Sequence, residues 1–299
     1  MYSVCVVMSS YNGEKFLQDQ LDSIFSQNNI DVILYVRDDG STDGTISILE
    51  KIKHPKFYYQ KGVNLGAKRS FLEAIRSAPK ADYYALADQD DVWDKDKLFS
   101  AINQLKNKNN DTPLLYCSAL RVVDEQLRTT NNKKSNSREY SFLCGDILPA
   151  AGCTMVFNNS MKNKLCKYNP VTYPMHDYWI LLLCLAIGGT IVYDVNPHIA
   201  YRQHEHNTVG GKRSICKSIV RRIQFYKEMG PNFHTKMYKE IIDAYSDDMP
   251  KENVDFCRMI CRCNKSVYNR LLLIRNNNFW KGRYKWKMET AILLFLGLY

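Results

Sequence analysis

The sequence predicts an α/β protein, a Rossmann-like and mostly parallel sheet flanked by helices, with a helical appendage at its C-terminal end. Three observations carry this. Over the first 120 residues, apolar strand-like runs alternate with helical stretches, the pattern of crossover units. The first run, Ser3–Ser9, is apolar throughout, as in a strand covered on both faces. The polar and Gly-rich segments follow the strands, and the carboxyl edge of a parallel sheet is where ligands bind.

Each element has its own signal. After the first strand, Asn12 is placed to cap a helix whose Leu17, Leu21, Ile24 and Phe25 form one apolar stripe. Asp31–Arg37 reads as the second strand, and Ile46, Leu49 and Ile52 mark the next helix face. Phe57–Gln60 is a short third strand, followed by a helix marked by Phe71, Leu72 and Ile75. Tyr83–Asp88 is the fourth strand, and Leu98, Ile102 and Leu105 mark the helix after it. Pro113–Leu120 is a further strand. Residues 128–139 are polar enough to form a loop, and Ile147–Phe157 returns to the core. His176–Gly189 reads as a buried helix stopped by glycine. Thr190–Asp194 is the last core strand, with Tyr201–Asn207 in a loop beyond it. A change to helical, basic sequence puts a boundary near residue 211. The expected division is a first half at about 1–120, a second half at about 121–211, and a C-terminal segment at 212–299.

Composition narrows the class. The chain has 299 residues, 45% of them hydrophobic, which is ample for a core. Its formal charge of +10 suits an anionic partner without choosing among nucleic acid, lipid head groups and diphosphates. The opening MYSVCVV lacks a basic n-region and a cleavage site, so no signal peptide is expected and the ten cysteines are expected to be reduced. Cys257, Cys261 and Cys263 match no zinc spacing and read as positions on a helix. No apolar run reaches the roughly 18 residues of a membrane span. The predicted location is cytoplasmic.

Four segments carry candidate chemistry. Asp88-Gln89-Asp90-Asp91 follows an apolar strand directly, and carboxylates two apart on a turn can converge on Mg²⁺ or Mn²⁺. A solvated capping turn leading into Trp93 is the plainer reading. In RDDGSTDGT (Arg37–Thr45), Asp39 stands where a strand end could accept a hydrogen bond from a base, although turn chemistry accounts for the same residues. In SSYN (Ser9–Asn12), Tyr11 could stack on a base and Ser10 could bond to it. In NLGAKRSF (Asn64–Phe71), Lys68 and Arg69 fall in a predicted first helical turn, where backbone N–H groups also favour anions.

These four segments, in this order and after these strands, resemble the donor half of glycosyltransferase family 2, whose fold is GT-A. The resemblance covers roughly residues 3–210. It implies a nucleotide-sugar-binding sheet and a divalent cation, Mg or Mn, held by Asp88 and Asp90. It further implies base contacts from Tyr11 and Asp39, with Ser10, Asn12 and Gln89 beside them, and a diphosphate facing Lys68 or Arg69. ADQDDVW together with HDYW and YRQH is most similar to bacterial polysaccharide rhamnosyltransferases, which points to a dTDP- or UDP-linked donor. The Ser9-Ser10 pair departs from the commoner Pro-Thr at that place.

The reaction needs an acceptor base within reach of the attacking hydroxyl. The resemblance puts an acidic residue beside the acceptor at Asp177, an alternative being that Asp177 caps its helix. His176 is a lesser candidate. Asp91, Trp93, Tyr178 and Trp179 are acceptor-side candidates. His204, with His206 as a weaker second, could ligate the cation or meet the diphosphate, and Arg202 could reach a phosphate. Attack opposite the diphosphate implies inversion. The acceptor is expected to be a glycan or a lipid-linked hydroxyl. Residues 212–299 mix Lys and Arg with Trp, Tyr and Phe. This suits peripheral contact with the inner membrane surface, a packed appendage or a homodimer contact, whereas no nucleic-acid recognition motif is present. Two rival functions remain at this point: a nucleotidyltransferase, which would be expected to show a Gly-rich basic loop after the first strand, and a nucleotide-sugar-binding protein without catalysis.

Overall fold

The computed structural model describes residues 1–131, 136–143, 150–204, 228–230, 232–263, 265–276 and 294. Among them is one nine-stranded sheet, ordered β3-β2-β1-β4-β8-β6-β9-β5, with β7 paired to β6. The strands are β1 (Ser3–Ser10), β2 (Asp31–Asp38), β3 (Phe57–Lys61), β4 (Tyr83–Ala87), β5 (Val92–Trp93), β6 (Leu114–Val123), β7 (Thr129–Asn131), β8 (Val156–Asn158) and β9 (Thr190–Arg202).

The donor half follows the expected plan. Strands β3, β2, β1 and β4 are parallel neighbours. Between them run α1 (Leu17–Phe25), α2 (Thr45–Lys51) and α3 (Ala67–Ser77), and α4 (Lys97–Leu105) follows β5. Every residue of β4 is buried, as its unbroken apolar sequence requires. All four parallel strands end on one edge, which brings Ser10, Asp38, Lys61 and the Asp88–Asp91 turn to the same rim.

The second half is mixed. β8 runs antiparallel to both β4 and β6, and β9 runs parallel to β6. Three sequence expectations are corrected here. Asn12 does not cap α1: it takes φ +47, and its Oδ1 accepts from the Thr42 N–H at 2.8 Å. The polar 128–139 stretch contains β7, which pairs with the far end of β6. The last strand does not stop at Asp194 but continues past a bulge to Arg202, because β6 is long enough to pair with it and β5 closes its other edge. That extension delivers Arg202 and His204 to the acidic turn.

One apolar cluster joins α3, α5 (Asn159–Lys167), α6 (His176–Ala186), α7 (Phe233–Tyr245) and α8 (Lys251–Cys263). Phe142 lies against both Tyr238 and Phe256. The Asn253 side-chain amide donates to the Leu185 and Ala186 carbonyls, at 3.1 and 2.9 Å, closing the C-terminal end of α6. The C-terminal helices are therefore packed into the core beside α6. Cys257 and Cys263 are buried on α8, as the helical reading expects. The boundary placed near residue 211 lies outside the described residues. No described helix is long and apolar enough to cross a membrane.

Candidate active site

The rim is built by cross-links between strand ends. Asp38 accepts from Gly40 N and Ser41 N on one oxygen, at 3.1 and 2.9 Å, and from the Ser10 hydroxyl on the other, at 3.0 Å. Ser10 is fully buried, so its hydroxyl holds β1 to β2 and does not face a base, contrary to the sequence expectation. Asp39 is also buried. It pairs with Arg37 and accepts from the Leu65 and Gly66 N–H groups at 2.9 and 2.8 Å. Its carboxylate thus clamps the 62–66 loop to the end of β2. Arg37 completes the clamp by donating to the Val63 carbonyl at 3.0 Å. Gly62 is required there, since a Cβ would stand 2.4 Å from the guanidinium.

Tyr11 and Asn12 lie on the exposed side of this rim, with Tyr11 47% exposed. Gln89 ties Tyr11 to the acidic turn by accepting from its N–H at 2.8 Å and donating to its carbonyl at 2.9 Å. Asp43 accepts from Glu14 N, and Gly44 N donates to Glu14, so the loops after β1 and β2 are bonded reciprocally. Lys68 lies over the Tyr173 ring at 4.1 Å, while Arg69 is exposed in the first turn of α3. Burial, and then Arg69, push the Lys68 ammonium below its ordinary pKa. The end of β1 thereby connects the Asp39 clamp to the turn that carries Asp88.

The acidic turn is the electrostatic centre. Asp88, Asp91 and Cys153 offer ligand atoms that all lie within 4.8 Å of one another. Burial, then Asp90, then Asp177 push Asp88 up to about 7. Asp91 is raised well above the carboxylate range by burial and by Asp88. Asp91 is fully buried; one of its oxygens accepts from Arg202 N at 3.1 Å, and the other has no hydrogen-bond partner. Asp90 meets His204 Nε2 at 2.8 Å. Clustered carboxylates with this much uncompensated charge fit a divalent cation. Asp88 belongs to this cluster, and Asp90 with its partner His204 stands on the same turn as further possible donors. Asp91 is engaged with β9, and burial keeps the Cys153 thiol protonated.

Arg202 is not free for a phosphate. Its guanidinium donates to the Asp90 and Glu125 carbonyls and to Asp19, and it lies over Phe16. Phe16 also stacks near His204 at 5.0 Å. Arg202 is therefore a brace that joins β9, α1 and the acidic turn. Trp93 and Trp179 are corrected likewise: both are buried in the two apolar clusters and neither faces an acceptor.

Asp177 stands in the first turn of α6, just after the N-cap residue Met175, and its Oδ1 accepts from the Tyr178 N–H at 2.7 Å, so it also satisfies a helix N-terminal donor as the capping alternative expects. Burial raises its pKa above the ordinary aspartate value. Its charge is the third cause of the Asp88 shift, after burial and Asp90, so the two carboxylates are electrostatic neighbours. His176 beside it is buried, stacked on Phe71 at 4.0 Å, and neither ring nitrogen has a hydrogen-bond partner. Burial lowers it to about 3, so it is neutral and cannot supply charge. Tyr178 is half-buried on the same turn.

Three participants were not foreseen. Gly152 and Cys153 form the 3₁₀ turn Gly152–Thr154 between the acidic turn and α6. A glycine inside a strand-like run was the available signal. Lys97 is fully buried, with its ammonium 3.5 Å from the centre of the Trp93 ring and near Asp91. Its helical position gave no warning of that.

Comparison with known proteins bears on the family and the fold. The sequence model for "Glycosyl transferase family 2" matches residues 5–165, more than half of the chain. The dTDP-rhamnosyl transferase RfbG of Shigella flexneri is 27% identical, over 97% of this chain and 99% of its own. A putative teichuronic acid biosynthesis glycosyltransferase of Bacillus subtilis, TuaG, is 36% identical over a shorter stretch, 32% of this chain and 38% of its own. Among solved structures, S. aureus TarS 1-349 in complex with UDP-GlcNAc superposes with a TM-score of 0.58 at 16% identity, covering 98% of this chain and 79% of that one. The mannosyltransferase PcManGT of Pyrobaculum calidifontis, in complex with GDP-Man and Mn²⁺, gives 0.50 at 16% identity, with coverage of 99% and 85%. At such identity the structural likeness speaks for the fold, which is GT-A.

Proposed function

The chain belongs to glycosyltransferase family 2, and from that premise we propose that it is an inverting rhamnosyltransferase of cell-surface polysaccharide synthesis. It moves the sugar from a dTDP- or UDP-linked donor to a hydroxyl of a glycan or lipid-linked acceptor. The observation that carries this reading is the clustering of Asp88, Asp91 and Cys153 within 4.8 Å, next to the Gly152 turn that packs on Asp177, where burial, then Asp90, then Asp177 raise Asp88 to about 7. The near full-length likeness to a dTDP-rhamnosyl transferase supports the sugar.

Each residue has a role in this proposal. Tyr11, on the open side of the rim, stacks on the base. Asn12 and Gln89 fix the loop that carries Tyr11, and Ser10 and Asp39 hold the strand ends in register beneath it. Lys68 and Arg69 face the diphosphate with the first-turn N–H groups of α3. Asp88, Asp90 and His204 hold the divalent cation, which when bound offsets charge on the leaving diphosphate. Asp177 takes the proton from the acceptor hydroxyl as the new glycosidic bond forms. Its raised pKa makes it a stronger base than a solvated aspartate.

A thermal-shift panel of nucleotide sugars, with and without Mn²⁺, tests the reading. The expected result is a cation-dependent stabilisation by dTDP-rhamnose, with UDP-sugars weaker, followed by turnover in the presence of an acceptor. Absence of a shift with every donor would refute it. Donor binding that survives Asp177→Asn while transfer is lost separates an enzyme from a sugar-nucleotide-binding protein.

A further inference from the structure

The C-terminal pair of helices carries a feature that the catalytic site does not use. Helix α9 (Val267–Arg275) buries Leu273 completely in the core. On the opposite side of the same helix, Val267, Tyr268, Leu271 and Leu272 are 57%, 69%, 47% and 44% exposed. At the helical period these four fall on one arc facing away from Leu273. A helix that is apolar on both faces has one face packed by its own chain and another awaiting a second environment.

The surroundings of that second face are mostly cationic, with one carboxylate, Asp255, in an exposed pair with Arg258 at 3.4 Å. A cleft of about 320 Å³ opens between α8 and α9, lined by Asp255, Arg258, Met259, Arg262, Asn269 and Leu272. Arg258 and Arg262 are one turn apart on α8 and both exposed, and the exposed Arg275 ends α9. The two helices are fixed to each other: Asn269 donates to the Arg262 carbonyl at 3.0 Å, and Arg270 to the Cys263 carbonyl at 3.3 Å. The arginines and the leucines are therefore held side by side.

We propose that this face, Leu271 and Leu272 with Arg258 and Arg262, docks the protein on an anionic lipid surface. The leucines and Tyr268 enter the head-group region, and the arginines of the cleft receive lipid phosphates. Charge favours this occupant over a second copy of the chain. A symmetric contact would set the arginines of one copy against those of the other, and the chain as a whole carries +10. Size points the same way. A nine-residue helix is about 13 Å long, short of the roughly 800 Å² per partner of a stable protein interface.

The test is co-sedimentation of the full chain with phosphatidylcholine vesicles, with and without phosphatidylglycerol. The wild-type protein is expected to bind only the anionic vesicles and to release in high salt. Leu271→Glu/Leu272→Glu and, separately, Arg258→Glu/Arg262→Glu should each weaken binding about tenfold or more. Both pairs are exposed, so the unfolding midpoint and donor-dependent thermal shift should match wild type. Should one pair fail to fold, the other still decides. Three results would overturn the proposal: no binding of wild type to anionic vesicles, undiminished binding by both variants, or a wild-type dimer that both variants dissociate.

Discussion

Gly152→Ala tests whether the turn beneath α6 positions the acceptor base. A Cβ at residue 152 would stand 2.7 Å from His176 Nε2 and 3.3 Å from the Asp177 Cβ. The first contact is about 0.7 Å too close for comfortable packing. His176 cannot retreat, because its ring is stacked on Phe71 at 4.0 Å within the core. The first turn of α6 must tilt and take Asp177 with it. Overpacking of this kind costs about 1–3 kcal/mol, and about 2 kcal/mol corresponds to a Tm loss of roughly 4–8 °C for a domain of this size. A base displaced by a fraction of an ångström loses much of its alignment, and about 1 Å costs roughly 10²-fold. The expected outcome is a kcat reduced about 10- to 100-fold with donor Kd almost unchanged, measured by transfer kinetics and calorimetric titration. Phe71→Leu in the same chain gives the His176 ring room to move and should restore part of kcat. A Gly152→Ala protein with full kcat, or one that loses donor binding in equal measure, would refute the positioning of Asp177 by this turn.

Other outcomes follow from the same geometry. Asp177→Asn should lower kcat about 10²–10⁴-fold while donor binding persists; equal loss of both in calorimetry and kinetics would place Asp177 elsewhere. Without the cation, the raised Asp88 binds its proton more tightly in the folded than in the unfolded chain, so its contribution to stability is full below about pH 4. That contribution is lost as pH rises through about 7, so Mn²⁺ should raise the unfolding midpoint more at pH 8 than at pH 5. Lys97 has the opposite sign. Burial lowers it to about 7, so its share of stability rises between about pH 7 and its unfolded value near 10.4. Lys97→Met should flatten that rise in denaturant titrations across the range. Arg37→Met leaves Asp39 buried without its partner and should cost about 3–5 kcal/mol, read as a lowered denaturant midpoint.

The parallel half of the fold was legible because each signal there is local. A fully covered strand such as β4 must be apolar throughout, and its polar continuation, Asp88–Asp91, must then lie on the rim. What the sequence could not show was the direction of individual side chains on that rim. Ser10 and Asp39 have the composition of ligand-binding positions, yet the Asp38 carboxylate draws Ser10 inward, and the backbone N–H groups of residues 65 and 66 with the Arg37 guanidinium draw Asp39 inward. Trp93 and Trp179 are adjacent in sequence to the site and still belong to the core, because β5 and α6 each bury the face that carries them.

The second half was less legible for a physical reason. Its contacts depend on pairing between distant segments, and periodicity carries no register. The continuation of β9 to Arg202 depends on β6 being long and on β5 lying alongside, neither of which is visible near Tyr201. Yet that continuation decides the site: Asp91 accepts from the Arg202 N–H, the Arg202 guanidinium braces the Asp90 carbonyl, and His204 reaches Asp90 as a result. The acidic turn is thus held from β4 on one side and from β9 on the other. Removing the β9 brace should therefore loosen Asp90 and His204 together and leave the Tyr11 side of the rim, fixed by Gln89 and Ser10, in place.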